Sequence, residues 1–384
     1  MKNSTRGAVD PFIVMDVMEA ARQAEAAGRH IIHMEVGQPA TPAPLGARNA
    51  LRDSLNATAM GYTVALGLPE LRSKIADLYG EWYDVDLDSN RVIVTSGSSA
   101  GFLLSFTSLF DAGERVGIGA PGYPSYRQIL KALDLTAVDI PTSAANKFQP
   151  HPTDLASLSL NGLLVASPSN PTGTMLSRGE LGALIEATER SEAAFISDEI
   201  YHGIEYETKA VSALEITNNC YVINSFSKYF SMTGWRIGWM VVPENHIRQV
   251  ERLAQNMFIC APHASQVVAL AAMECREELI AYKAVYEKNR RLMIDGLPEA
   301  GFDRIAPPDG AFYIYADISH LTSDSLSFAR QILQEAGVAV TPGLDFDTQR
   351  GAGSLRFSYA GSSEDIQEGL HRLKQFMQKK GFAA

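Results

Sequence analysis

With 384 residues, 46% of them hydrophobic and 20% charged, the chain has the composition of an ordinary globular protein of about two to three domains. Its net charge of −11 and isoelectric point of about 5.3 exclude a broad nucleic-acid surface, which needs a basic patch. Cys220, Cys260 and Cys275 are odd in number and lack CxxC spacing, which suits free thiols in a reducing compartment. No signal-peptide pattern opens the chain, and no apolar run reaches the roughly 18 residues of a membrane helix, so a cytoplasmic protein is expected.

In chain order, Asp10-Pro11 predicts a helix with Asp10 as N-cap, running to Ala27-Gly28. A strand over 31–36 leads into Gly37-Gln38-Pro39. From about residue 90, short two-sided apolar runs at 92–95, 116–120, 163–166, 193–196, 221–224 and 237–242 alternate with helical segments. Such runs belong in a mostly parallel sheet covered on both faces. A long helical region over about 262–297 follows. Then come a strand at 311–316, a helix at 325–336, strands at 338–341 and 355–358, and a last helix over 364–379. The tail reads as a smaller α+β unit.

The most informative stretch is Asn224-Ser225-Phe226-Ser227-Lys228, closing with Thr233-Gly234-Trp235-Arg236. A lysine after a buried strand, flanked by hydroxyls with an arginine nearby, suits a Schiff-base lysine beside a phosphate clamp of Ser225, Ser227 and Arg236. Asp198 and Tyr201, just past another strand, suit a pyridinium nitrogen and a ring oxygen. In parallel sheets ligands collect at such strand ends. Together these groups describe a pyridoxal 5'-phosphate site. Each also has a plainer role available: surface lysine, helix-capping aspartate, core tyrosine.

In the order and spacing of these motifs, from Gly37-Gln38-Pro39 to Arg356, the chain resembles class I/II aminotransferases of the aspartate aminotransferase superfamily. The resemblance implies the α/β architecture of fold type I, a three-layer large domain with a mostly parallel central sheet plus a smaller α+β domain. It places the large domain at 38–285 and the small one at 1–37 with 286–384. Lys228, Asp198 and Tyr201 are the implied catalytic residues. Gly97, Ser98 and Ser99, at a strand-to-helix turn, match the family's phosphate loop. Tyr123 matches the aromatic that stacks on the cofactor ring, and Asn170, in Ser167-Pro168-Ser169-Asn170-Pro171, matches a contact to the ring hydroxyl and the substrate. The prolines of that segment suggest a rigid, cis-containing turn. Arg356 and Gly37 match the grip on the substrate carboxylate. Tyr62 matches a tyrosine that reaches the phosphate across a homodimer interface. His202 resembles the family pattern but carries no assigned role.

The implied reaction moves an amino group from an L-amino acid to a 2-oxo acid by ping-pong half-reactions through Lys228. A β-elimination lyase of the same fold is the alternative. Ser99 stands where some aspartate-specific relatives carry a lysine, and Phe12, Ile13 and Tyr62 suit an apolar pocket, which favours neutral or aromatic amino acids.

Other patterns compete. Gly97-x-Ser99-x-Gly101 is a literal nucleophile-elbow match, with Asp309 and His320 or His371 as partners in an α/β-hydrolase reading. That reading leaves Lys228, Arg236 and Asn170 without a task. Gly117-x-Gly119-x-x-Gly122 mimics a dinucleotide fingerprint, but Pro121 and Pro124 remove backbone donors a pyrophosphate needs. Ser225-x-x-Lys228 lacks the companion Lys-Thr-Gly of penicillin-binding proteins. His30 and His33 alternate on a strand and so face apart, which argues against a metal pair.

Overall fold

The computed structural model describes residues 1–382. Its strands are β1 (Ile32–His33), β2 (Val92–Thr95), β3 (Arg115–Ala120), β4 (Thr136–Pro141), β5 (Gly162–Ala166), β6 (Ala194–Asp198), β7 (Tyr221–Ser225), β8 (Gly238–Val241), β9 (Tyr313–Asp317), β10 (Val338–Ala339), β11 (Thr341–Pro342) and β12 (Ser354–Ser358). The helices are α1 (Ile13–Ala26), α2 (Leu45–Ala57), α3 (Pro69–Tyr83), α4 (Ser98–Leu109), α5 (Pro124–Ala132), α6 (Pro152–Leu155), α7 (Arg178–Arg190), α8 (Ile247–Met257), α9 (His263–Ala272), α10 (Arg276–Glu299), α11 (Ser325–Gln331) and α12 (Ser363–Lys380).

Seven strands form the main sheet, in the order β2-β8-β7-β6-β5-β3-β4. All pairings are parallel except those of β8, which is antiparallel to β7 and β2. Alternation along each strand sends side chains to two separate cores. Val92, Val94, Leu163, Val165, Phe195 and Val222 pack with α3, α7 and α9 on one face. Ile93, Leu164, Ile196, Tyr221 and Ile223 pack with α4, α5 and α8 on the other. This is the two-sided burial that continuous apolar runs predict. The expected fold-type-I architecture is present: three layers around a mostly parallel sheet, with a smaller α+β part beside them.

A three-stranded antiparallel sheet, β11-β12-β9, and the parallel pair β1-β10 share a further core. That core takes Met293 and Leu297 from α10, Phe328 from α11 and Phe376 from α12. Ile200, Tyr201 and Ile204, in the turn after β6, also enter it and so tie the main sheet to this part.

Several local expectations shift. α1 starts at Ile13, not at Pro11; Asp10 does not cap it, and the carboxylate of Asp345 accepts from Ile13 N (2.9 Å) and Val14 N (3.2 Å) instead. The strand expected over 31–36 pairs only at Ile32–His33. The long helical region splits at Met273–Cys275 into α9 and α10. β4 was not expected, because its pattern Thr-Ala-Val-Asp-Ile-Pro is half exposed and ends on a proline, as suits an edge strand. Among the described residues no helix is long and apolar enough to cross a membrane.

Candidate active site

The carboxyl edge of the main sheet gathers most of the expected residues. Gly97–Ser99 follow β2, Tyr123 follows β3, Asn170 follows β5, Asp198 ends β6, and Ser225, Ser227 and Lys228 lie at the end of β7. Because β8 runs the other way, its first residues meet this same edge, which delivers Arg236 to the turn after β2.

At that turn Gly97 is the N-cap of α4, and no side chain caps the helix. Gly97 has φ +77°, and a Cβ there would stand 2.5 Å from Arg236 Nη2. Glycine is what lets the guanidinium lie against the open end of the helix. Free N–H groups, the positive end of the helix dipole and an arginine converge there into an anion site. Arg236 is held in a left-handed conformation (φ 51°) and donates from Nη1 to Thr233 O at 3.0 Å. Ser225 Oγ lies 2.9 Å from Ser227 Oγ and accepts from Ser227 N at 3.1 Å. Ser98 opens the first turn of α4, where Ser99 is exposed.

Asp198 is buried, and its carboxylate accepts from the Tyr126 hydroxyl and from Ile200 N (3.1 Å). Burial pushes its pKa up to about 6, against the pull of Tyr126, Ile200 and Lys228. The Tyr123 ring stands edge-on to Tyr126, with centroids 5.2 Å apart, and to Phe12 at 5.8 Å. The Tyr201 hydroxyl is 2.8 Å from that of Tyr313, and burial holds this phenol well above its ordinary pKa.

Lys228 donates from Nζ to Gly37 O at 2.6 Å, with the rings of Tyr201 and Phe312 within 5.7 and 6.0 Å. Burial lowers its pKa to about 8, helped by Arg356 and Arg236 and opposed by Asp198. An amine depressed this far is partly neutral near physiological pH, as a nucleophile or base must be.

Arg356, buried in β12, donates from Nη1 to Asn170 Oδ1 at 2.8 Å. Its Nη2 donates to Glu35 O and, at 3.2 Å, to Thr341 Oγ1. The guanidinium lies over Tyr313 (4.4 Å) and Phe346 (4.8 Å), and its buried Nε has no partner. A Cβ on Gly37 would overlap the Tyr313 hydroxyl, so the close approach of these two segments requires glycine. The Ser167–Pro168 and Asn170–Pro171 peptides are both cis.

Tyr62 stays apart from this cluster. It is 83% exposed and lines a surface cleft of about 420 Å³ with Ser96, Phe258 and Cys260. The hydrolase grouping does not form. His320 and His371 are exposed, His371 faces Gln375 at 2.8 Å, and Asp309 accepts from Met175 N. His33, set apart from a metal pair on the sequence, lies 2.8 Å from Glu35 and 3.1 Å from Glu25.

Residues 29–373 match the model of the family described as aminotransferase class I and II. The chain is a class I and II aminotransferase. It is 45% identical over 378 residues to a valine–pyruvate aminotransferase of Mycobacterium tuberculosis, covering 97% of each chain. It is 34% identical over 384 residues to a (5-formylfuran-3-yl)methyl phosphate transaminase of Methanocaldococcus jannaschii, covering 96% of this chain and 98% of the other. A solved structure of a Silicibacter pomeroyi protein, provisionally named an aminotransferase, superposes with a TM-score of 0.95 at 69% identity. That alignment covers 99% of this chain and 100% of the other. Aminotransferases of this class depend on pyridoxal phosphate, and so does this enzyme; its substrates are an amino acid and a 2-oxo acid.

Tyr126, Tyr313, Thr341 and Phe346 also belong to the cluster and were not marked on the sequence. Tyr126 had a signal, since it closes the same Pro-rich segment as Tyr123. Tyr313 had only its place in a late apolar strand.

Proposed function

We propose that the enzyme transfers the amino group of a neutral, apolar L-amino acid of valine type to a small 2-oxo acid such as pyruvate, in ping-pong half-reactions. The observation that carries the transfer chemistry is the buried Lys228 amine just past β7, donating to Gly37 O at 2.6 Å, with Asp198 and Arg356 both in electrostatic reach.

The residues suit the cofactor by their own chemistry. The open N-terminus of α4 beside Arg236, with Gly97, Ser98, Ser99, Ser225 and Ser227, would hold its phosphate. Asp198 would hold the pyridine nitrogen, Tyr201 and Asn170 the ring hydroxyl, and Tyr123 the ring face. When bound, pyridoxal phosphate supplies the electron sink that allows an amino acid's Cα–H bond to ionise. Arg356 and the backbone of Gly37 receive the substrate carboxylate, for which Arg356 Nε is still free of partners. Lys228 Nζ takes the Cα proton and gives it back, as general base and then general acid. Tyr126, donating to the Asp198 carboxylate, keeps that acid ionised and aimed.

Three things support an apolar side chain. Phe12 packs edge-on against Tyr123 at the site, Ser99 offers no cation for a second carboxylate, and a relative of 45% identity is named a valine–pyruvate aminotransferase. A homodimer completes the site through Tyr62. The exposed Tyr62, Val64, Met257 and Ile259 support this, as does Ile259 itself, a β-branched residue at φ 66° on that surface. The division into 38–285 and 1–37 with 286–384 is supported by the cores. One runs from Ala43 to Leu279, and another joins Ile32 and Met34 to residues from Tyr286 onward, with Ile200, Tyr201 and Ile204 as the large unit's contribution across the border. Three unpaired cysteines suit a cytoplasmic setting.

The test is an amino-acid panel with pyruvate and 2-oxoglutarate as acceptors, followed by product analysis and by the cofactor's absorption. Turnover of valine, alanine and leucine with pyruvate supports the reading. Turnover confined to aspartate and glutamate overturns the substrate class, and release of ammonia and pyruvate from cysteine moves the enzyme to the elimination lyases.

A further inference from the structure

His202 lies outside the machinery described so far, yet it is buried and both its ring nitrogens are engaged. Nε2 is 2.8 Å from the carbonyl oxygen of Ser167. A carbonyl only accepts, so Nε2 carries the proton. Nδ1 is 2.6 Å from the Tyr83 hydroxyl, at the end of α3. Burial pushes the imidazole down to about 4, so it is neutral at working pH and Nδ1 accepts from Tyr83. Glu199 Oε2 lies 3.6 Å from Nδ1, farther than the Tyr83 hydroxyl, and receives Ser212 Oγ at 2.9 Å, while Ser197 Oγ and Ala213 N donate to Oε1; burial raises this carboxyl to about 8.

Ser167 is the stem of the turn that carries Asn170. Its N–H donates to Asp198 O at 3.3 Å, and its Oγ accepts from Leu176 N at 3.0 Å. Its carbonyl, buried as the residue is, has His202 as donor. Three residues on, Asn170 Oδ1 receives Arg356 Nη1 at 2.8 Å.

We propose that His202 is a positioning residue for substrate binding. A Tyr83 → His202 → Ser167 chain of directed hydrogen bonds fixes the turn that orients Asn170, and through it the Arg356 fork. Tyr83 sets the tautomer: by donating to Nδ1 it leaves the proton on Nε2, where Ser167 needs it. This rests on the reading of Asn170 and Arg356 as the carboxylate site.

The experiment uses the holoenzyme with valine and pyruvate. His202→Phe fills the space without a donor, whereas His202→Gln places an amide N–H near the Nε2 position. Loss of the donor strands a buried carbonyl, so His202→Phe is expected to raise KM for the amino acid about tenfold with kcat little changed. His202→Gln recovers most of that loss, and the cofactor absorption is unaltered in both. Tyr83→Phe raises KM in the wild-type background and leaves it unmoved in His202→Gln, which has no tautomer to control.

Equal KM values for His202→Phe and His202→Gln overturn the proposal, as does an equal effect of Tyr83→Phe in both backgrounds. If His202→Phe does not fold, the two Tyr83→Phe comparisons decide it alone. Arg356→Lys, run in parallel, separates the premises: if it leaves KM unchanged, the carboxylate-site reading fails whatever His202 does.

Discussion

At the proposed phosphate end of the site, Gly97–Ser99, Ser225–Lys228 and Arg236 come from neighbouring strands of one sheet, β2, β7 and β8, within a few residues of each strand end. At the proposed carboxylate end, Arg356 of β12 reaches Asn170 of a loop after β5, Glu35 beyond β1 and Thr341 of β11. The first end is left open: an uncapped helix and a guanidinium present donors with no acceptor from a side chain between them. The second end is already largely engaged by protein oxygens, with Nε as the one nitrogen of its arginine that has no partner. An anion entering the first end meets ready donors, whereas one entering the second competes with internal bonds. This difference suits the proposed roles: a cofactor that stays at the first end, and a substrate that must leave every cycle at the second.

The largest effects should fall on the cofactor side. Lys228→Ala removes the group proposed to move the Cα proton, and turnover at saturating amino acid should fall by about 10²–10⁴-fold. Near-normal turnover in that variant would break the assignment outright. Asp198 gives a second, cofactor-free readout. Its pKa is raised from 3.8 to about 6, so between those values the folded chain binds more protons than the unfolded one. Stability conferred by this group is therefore full below pH 4 and declines as pH rises to about 6, by roughly 3 kcal/mol for a shift of about two units. Melting of the cofactor-stripped enzyme across this range, compared with Asp198→Asn, isolates that slope, because the other titrating groups are common to both. Two parallel pH profiles would mean that the carboxyl is not held as its burial implies.

The same contrast explains what was legible in the sequence. The phosphate end could be read because its parts are short motifs next to strands, and the strands announce themselves as runs apolar on both faces, as Val92–Thr95 and Tyr221–Ser225 do. Tyr201 and Lys228 follow strand ends in the same way. The carboxylate end resisted, because its bonds join residues 186 positions apart for Arg356 with Asn170 and 112 apart for Tyr201 with Tyr313. No local pattern encodes such a partner, so Arg356 was placed by resemblance and Tyr313 was missed. The α1 cap failed for this reason too. Asp10 and Pro11 make a proper local signal, but Asp345, 332 positions from Ile13, supplies the carboxylate. Tertiary contacts outvoted propensity there.

On the carboxylate side the expected effects are smaller. Arg356→Lys keeps the charge and loses the planar fork, along with the bonds to Asn170 and Glu35. The value of kcat/KM for the amino acid should fall about 10- to 100-fold, mostly through KM. A kcat loss of that size with KM unchanged would place Arg356 in the proton-transfer step rather than at the carboxylate, and would erase the distinction between the two ends.

The smallest effect tests whether the apolar wall at Phe12 belongs to the substrate end. Asp345 holds the first N–H groups of α1, and next to it Phe346 lies over Arg356 while its carbonyl accepts from Gly122 N at 3.1 Å, beside Tyr123. One short segment thus fixes Phe12 against Tyr123 and shields the arginine. Asp345→Ala should cost about 1 kcal/mol of stability, the worth of a helix cap, read as a lower melting temperature. Asp345→Asn, which keeps an acceptor, should cost less. If Phe12 covers the side-chain pocket, Asp345→Ala should also raise KM for valine more than for alanine, since only the larger side chain uses the apolar wall. An equal rise for both would confine Asp345 to stability and leave the pocket to be built from other residues.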